Sequence, residues 1–219
     1  VSYNTLDGIV TTLRLVLNGA IRRGLIDYNP CNNLEMSART PTPWTVLDEA
    51  QARQLITATA DDPLSAFWTL AVTLGIRRGE LLGLRWSDVD LAGGMLTIQR
   101  TMSRKLIDRS TGKTAWYIKE MPKTTAGRRP LRLPAICQSS LQTHRVRWVE
   151  RRLAAGDIWS TDDAVFDGGL GGHHRDPNVA GNGMRRLRYH KIVPETLRVH
   201  DLRHTAATHM LMNRIPVAV

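Results

Sequence analysis

The chain has 219 residues, 42% of them hydrophobic, and carries 30 lysines and arginines against 20 acids, a formal charge of +10 at pH 7. That apolar share excludes global disorder and supports one sizeable domain plus a piece of another. The charge points to a polyanionic partner, because lysine and arginine gain affinity by displacing counterions from phosphates. Two distant cysteines, Cys31 and Cys137, argue against a disulfide scaffold or a cysteine zinc site and fit a reducing cytoplasm. No apolar run reaches membrane-spanning length and no signal peptide opens the chain, so a cytoplasmic location without membrane partners is expected. Val1 at the start and Pro216 near the other end suggest a central fragment.

Residues 3–24 alternate Leu6, Ile9, Val10, Leu13, Val16 and Leu17 with basic positions at helical spacing, and Gly24 is the stop. One or two helices bury no core alone, so residues 1–37 are expected to end a helical domain, with 38–45 as linker around Pro41 and Pro43. The next domain is expected over 46–219. Asp48 and Gln51 form a capping box ahead of Ala52, Leu55 and Ile56. Pro63 is expected to start a second helix, with Phe67, Trp68, Leu70, Ala71 and Leu74 inward and Gly75 at its end. A third helix covers Arg78–Leu84. Three strands follow at Met95–Arg100, Ala115–Lys119 and Arg128–Leu133, their connections too short for crossover helices. A helix over 134–153 is expected to turn Leu141, Val146, Val149 and Leu153 inward. Asp167–Asn178 reads as a loop, its His173 and His174 exposed. Asn182–Ile192 reads as a basic helix broken by Pro194, and His200–Asn213 as a last helix with Leu202, Ala206, Ala207 and Leu211 at core spacing. The fold class is therefore mainly α with a small three-stranded antiparallel sheet (α+β).

Three separated stretches each offer phosphate-binding groups. In the first, Gly75 allows a sharp turn and Arg77 opens a helix. In the second, Lys123 sits at a turn between two strands, ahead of Arg128 and Arg129. In the third, His200 and Arg203 stand three apart on one helix face. An arginine fork matches two non-bridging phosphate oxygens and stays charged. A lysine at a turn can protonate a departing oxygen, and a histidine can position or deprotonate an attacking hydroxyl. None of this needs a metal or cofactor.

At these residues the chain resembles the tyrosine recombinase (phage integrase) family. GIRRGELLGLRWSDVDL, PKTTAGRRPLRLP and HDLRHTAATHML look like its three signature blocks in their usual order, and IRRGLIDYNP resembles the end of its core-binding domain. The resemblance implies a truncated catalytic domain after the end of a helical core-binding domain, the two closing around duplex DNA. It implies that Arg77 and Arg203 hold the scissile phosphate, Lys123 is the general acid, His200 is the histidine of the HxxR block, and Glu80 supports Arg77. It also implies site-specific recombination through a 3′-phosphotyrosine, several protomers on DNA (a tetramer), and accessory bending or directionality factors. Neither the family's LGH block nor a tyrosine follows the HxxR helix here; Tyr3, Tyr28, Tyr117 and Tyr189 all precede His200. The chain is accordingly expected to bind DNA without cleaving it.

Blander readings stand beside these. Arg77 is also a natural ion-pair partner for Glu80. Arg128 and Arg129 fit a solvated strand edge as well as phosphate contact, and Arg185, Arg186 and Arg188 fit a solvated helix face as well as the DNA backbone. Arg78 is expected to face solvent or DNA. His200 and His204 are four apart, but no third ligand is evident, so no metal is expected. The rival of another class is a non-catalytic DNA-binding module from a decayed or regulatory integrase. A type IB topoisomerase is a second enzymatic rival, disfavoured by the stretch before Pro30.

Overall fold

The computed structural model describes residues 3–34, 43–120, 128–160, 162–173 and 178–214. It separates into two compact units, residues 1–43 and 44–219.

The first unit is built on helix α1 (Tyr3–Arg22), followed by a 3-10 turn at Pro30–Asn33. Buried Asn29 ties that turn back to the helix. Its amide donates to the Arg14 carbonyl (3.2 Å) and to Asn18 Oδ1 (2.8 Å), while its side-chain oxygen accepts from the Cys31 N–H (2.9 Å). Arg14 Nε closes the loop on the Cys31 carbonyl at 3.0 Å. The other side of α1 leaves Leu6, Ile9, Leu13 and Val16 exposed.

The second unit opens with α2 (Glu49–Ala58), where Asp48 and Gln51 form the expected reciprocal cap. Helix α3 (Ser65–Leu74) is apolar all round, which is the pattern of a central helix. Phe67, Trp68 and Leu70 are fully buried, and α3 packs against both α5 (Ala135–Ala155) and α7 (Asp201–Met212). Its start differs from the sequence expectation. Pro63 lies in the preceding turn, which Asp62 holds by accepting the Leu64 N–H on its side chain and the Ser65 N–H on its carbonyl.

The strands also differ. After α4 (Arg78–Leu82), the described strands form two sheets rather than one. Strands β1 (Val89–Asp90), β2 (Met95–Ile98) and β5 (Arg129–Arg132) make a three-stranded antiparallel sheet in the order β1-β2-β5. Strands β3 (Arg100–Leu106) and β4 (Thr114–Glu120) make a separate hairpin, Arg100 opposite Glu120 and Leu106 opposite Thr114. The stretch expected as one strand ending at Arg100 changes partner at Gln99. Asp88 anchors that corner, accepting from Gln99 Nε2 (2.9 Å) and Arg100 Nη1 (2.6 Å), and Arg100 Nε reaches Glu120 at 2.7 Å.

Helix α5 buries a different face from the one expected. Cys137, Leu141, His144 and Trp148 point inward, while Val146 and Leu153 are exposed. Two of the inward groups carry polar ring atoms that find partners: His144 Nε2 meets the Val165 carbonyl at 2.7 Å and Trp148 Nε1 donates to the Ala164 carbonyl at 3.0 Å. Helix α6 spans Val179–Tyr189, three residues earlier than expected, and Ala180, Met184 and Leu187 bury it. It has ended before Pro194. In α7 Leu202 and Ala206 are buried as expected, but Leu211 is exposed.

Candidate functional site

The site forms where α3, α4, β5 and α7 meet. Gly75 ends α3 in the left-handed region (φ 63°), which an L side chain adopts only at a cost. A Cβ there would also stand 3.1 Å from the Ala206 Cβ and 3.5 Å from the Arg203 Cγ. The missing side chain lets α7 lie directly on the end of α3, and Arg203 Nη1 donates to the Gly75 carbonyl at 2.6 Å. The backbone then extends through Arg77, which caps α4. Gly79 lets α4 sit on β3, since a Cβ there would meet Thr101 Oγ1 at 2.6 Å and the Met102 carbonyl at 2.7 Å.

Glu80, on the first turn of α4, is 1% exposed and is the centre of the arrangement. Its Oε1 accepts from Arg77 Nη1 and Arg129 Nη1, both at 3.1 Å. Its Oε2 accepts from the Arg77 backbone N–H at 3.0 Å and from Arg129 Nη2 at 2.7 Å. Burial alone would push the Glu80 carboxyl pKa up, but the hydrogen bonds and charge of Arg129 and Arg77 reverse this and hold it below the usual carboxylate value. Arg203 lies in the same field. Burial, then repulsion from Arg77, lowers its pKa, with Glu80 opposing and Arg129 adding to the repulsion. Two guanidiniums thus bond to one carboxylate, with Arg203 nearby in its field. Arg77 keeps more than half of its side chain exposed, while Arg129 is 17% exposed.

His200, one turn before Arg203, is drawn into the cluster. Burial, His204 and Arg203 lower its pKa, which favours a neutral imidazole able to accept a proton or a hydrogen bond near pH 7. Its ring meets His204 edge-on at 5.2 Å, and His204 stacks flat on Trp44 at 4.0 Å. The segment around Trp44 is fastened along α7: the Leu47 N–H donates to Thr205 Oγ1 (3.1 Å), and His209 Nε2 contacts the Leu47 carbonyl (2.9 Å). Buried Asp201 takes three bonds from Arg198, at 2.9, 3.0 and 3.1 Å, and so fixes the approach to α7.

Arg77, Glu80 and Arg203 are therefore brought together from distant segments, and His200 stands one turn ahead of Arg203 at the start of α7. Lys123 lies outside the described residues. Arg78 is exposed beside Arg77, and Arg128 is half-buried with its Nε lacking a protein partner. Arg129 has its fork closed on Glu80. The basic residues of α6 make contacts elsewhere: Arg186 pairs with Asp62, Arg185 with Asn182, and Arg188 with the Glu195 carbonyl at 3.2 Å. His173, expected to be exposed, is largely covered and meets Asp162 at 3.1 Å, because residues 167 and 173 bridge across the loop; His174 lies outside the described residues.

The roles of Arg129 and Trp44 were not legible in the sequence. A doubled arginine gives no sign of which member turns inward, although alternation from Leu131 and Leu133 would have set Arg129 on the sheet face opposite Arg128.

The model of the phage integrase family matches residues 45–219. A tyrosine recombinase XerC-like protein of Caldanaerobacter subterraneus subsp. tengcongensis is 26% identical over 99% of this chain and 57% of its own length. A putative prophage phiRv2 integrase of Mycobacterium tuberculosis is 30% identical over 89% of this chain and 48% of its own length. The chain thus spans about half the length of these relatives. Among solved structures, the Tn1549 transposon integrase in complex with transposon right end DNA superposes with a TM-score of 0.77 at 21% identity, over 99% of this chain and 69% of that one. A lambda integrase dimer bound to a COC′ core site gives 0.62 at 17% identity, over 97% of this chain and 68% of that one. Those likenesses establish the fold, and the family model, covering most of the sequence together with the arginine cluster, establishes the kinship: this chain belongs to the phage integrase family, whose members are tyrosine recombinases.

Proposed function

We propose that the parent of this chain performs site-specific DNA recombination, integrating or excising a mobile element through a 3′-phosphotyrosine. The observation that carries this is the approach of Arg203 to the segment bearing Arg77 and Glu80, the Arg203–Gly75 bond joining positions 128 apart in sequence, with His200 one turn ahead of Arg203. Arg77 and Arg203 hold the non-bridging oxygens of the scissile phosphate and stabilise the charge that grows on them in the pentacoordinate transition state. His200 positions the attacking hydroxyl, and Lys123 protonates the departing 5′-oxygen. Glu80 supports Arg77. The bond energy is conserved in the phosphotyrosine, so the reaction uses no nucleotide cofactor.

In this proposal residues 1–37 belong to the core-binding domain, 38–45 are a linker and 46–219 belong to the catalytic domain. Arg78, Arg128, Arg185, Arg186 and Arg188 contact the DNA backbone. The assembly is a tetramer on two duplex sites in the cytoplasm, with accessory factors for bending or direction. Tyr117 stands on the β3–β4 hairpin and Tyr189 at the end of α6; neither they nor Tyr3 and Tyr28 attack, and these 219 residues bind duplex without cutting it. Two measurements test this. Anisotropy of a labelled mixed-sequence duplex with this chain should weaken steeply from 50 to 200 mM salt, and a flat response refutes DNA binding. The parent protein incubated with its DNA site should yield a covalent tyrosine–DNA adduct by mass spectrometry, and this chain none. Salt-dependent binding with no adduct from the parent would instead identify a non-catalytic DNA-binding module.

A further inference from the structure

Glu80 has two oxygens and about four acceptor positions, and all four are filled. Arg129 fills one on each oxygen with its planar fork. Arg77 fills one with its backbone N–H and one with a single guanidinium nitrogen. A buried carboxylate that lost Arg129 would be left under-compensated, a state proteins avoid strongly. The nearest mobile cation is the Arg77 guanidinium, already 3.1 Å away and free to swing because most of its side chain is in solvent. It would be drawn down onto both oxygens, and donors that face outward would turn inward.

We infer that Arg129 is a positioning residue: by saturating Glu80 from β5 it leaves the Arg77 guanidinium facing outward for a DNA phosphate. The phosphate in this inference rests on the function proposed above; the geometry of Arg77 does not. Arg129 therefore acts through Arg77, and it also couples the first strand after residues 121–127 to the helix that carries Arg77.

The test uses this chain with Arg129→Lys, which keeps the charge but cannot bridge both oxygens. Arginine labelling by phenylglyoxal, read at Arg77 by peptide mass spectrometry, should slow several-fold, because the guanidinium is withdrawn. In Glu80→Gln/Arg129→Gln, which removes the carboxylate that attracts it, labelling should return to the wild-type rate. Unchanged or faster labelling of Arg77 in Arg129→Lys overturns the inference, as does slow labelling that persists in the double variant. General loosening of the fold would raise the labelling of Arg77, so a structural defect moves the readout the opposite way. With duplex DNA, Arg77→Ala and Arg129→Lys should each lower the log–log salt slope by about 0.9, the value for one lost phosphate contact. Arg77→Ala/Arg129→Lys should lower it no further; a fall of twice that size would make Arg129 a direct phosphate contact and overturn the positioning role. Should the wild-type chain show no salt-dependent binding, the DNA function fails while the labelling result still decides the geometry.

Discussion

Replacing Glu80 by glutamine is the sharpest perturbation of the cluster. The substitution keeps the shape, removes the charge and turns one acceptor into a donor facing arginine N–H groups. Removing one partner of a buried pair costs about 3–5 kcal/mol. The Arg77 arm deserves little of that, because a guanidinium with 57% of its side chain exposed is rehydrated when released. The Arg129 arm, at 17% exposure, carries most of it, so we expect a loss of about 3 kcal/mol at pH 7, the low end of that range. The loss should also depend on pH. The folded state holds the Glu80 pKa below its ordinary 4.5, so the ionised carboxylate stabilises the fold above that value. The contribution fades as pH falls through the lower folded value, where wild type protonates and the glutamine variant does not. Urea unfolding followed by tryptophan fluorescence at pH 7 and at pH 3 should therefore show a large difference that shrinks toward acid. A difference below about 1 kcal/mol at pH 7, the size of a surface pair, or one that stays constant across the range, would refute the buried-carboxylate argument.

Gly75→Ala should destabilise by at least about 1 kcal/mol from the left-handed backbone alone, with the close Ala206 Cβ adding to it; a neutral or stabilising result by urea unfolding would mean α3 and α7 are not held this closely. His144 is buried with its pKa pushed down, mainly by that burial. The unfolded chain therefore takes up a proton more readily below its ordinary 6.5, and stability should fall as pH drops from that value through the folded one. His144→Gln, which can still donate to Val165, should flatten the urea midpoint between those limits; an unchanged slope would place the acid sensitivity elsewhere. In the parent protein, Arg203→Ala should slow DNA cleavage by about a hundredfold, roughly 3 kcal/mol of lost charge stabilisation, and affect duplex affinity far less; near-normal strand exchange would count against Arg203 as a phosphate ligand.

Much of this was readable because the relevant signals are local. The Asp48–Gln51 cap is a four-residue pattern, and the inward face of α3 was readable from Phe67, Trp68, Leu70 and Ala71. Arg77, Glu80, His200 and Arg203 were singled out because each stands in a short block that resembles a signature block of the family; periodicity alone did not separate them from ordinary helix-end residues. The misreading of α5 comes from the polar atoms of its buried face. The stripe expected on α5 left out His144 and Trp148, whose partners, the carbonyls of Val165 and Ala164, come from another segment. Once those bonds exist, the rings pack like any apolar group. The β3–β4 hairpin was half missed because Thr101–Leu106 is polar at most positions, and only Met102 is buried along it. Its root is held instead by Arg100 on Asp88 and Glu120, an ion network that no periodicity reveals.

The same reasoning explains why the arginine cluster had to be built on these particular elements. Three guanidiniums against one carboxylate repel each other, and burial makes this worse for Arg203. Glu80 offsets part of that charge, and packing around the cluster holds the groups in place. Arg203 is held by α7, whose buried face lies on α3, the most completely buried helix of the chain. Arg77 follows α3 closely, across Gly75 and the buried Ile76. The glycine at that junction removes the side chain that would separate the two helices, so the fold brings the like charges together at the place where its core resists displacement best. On the function proposed here, the phosphate that relieves the repulsion is the one being cut, and the transition state, with more charge on its oxygens, relieves it further. A site under such tension favours the reacting group over the resting one, which is what differential binding of a transition state requires.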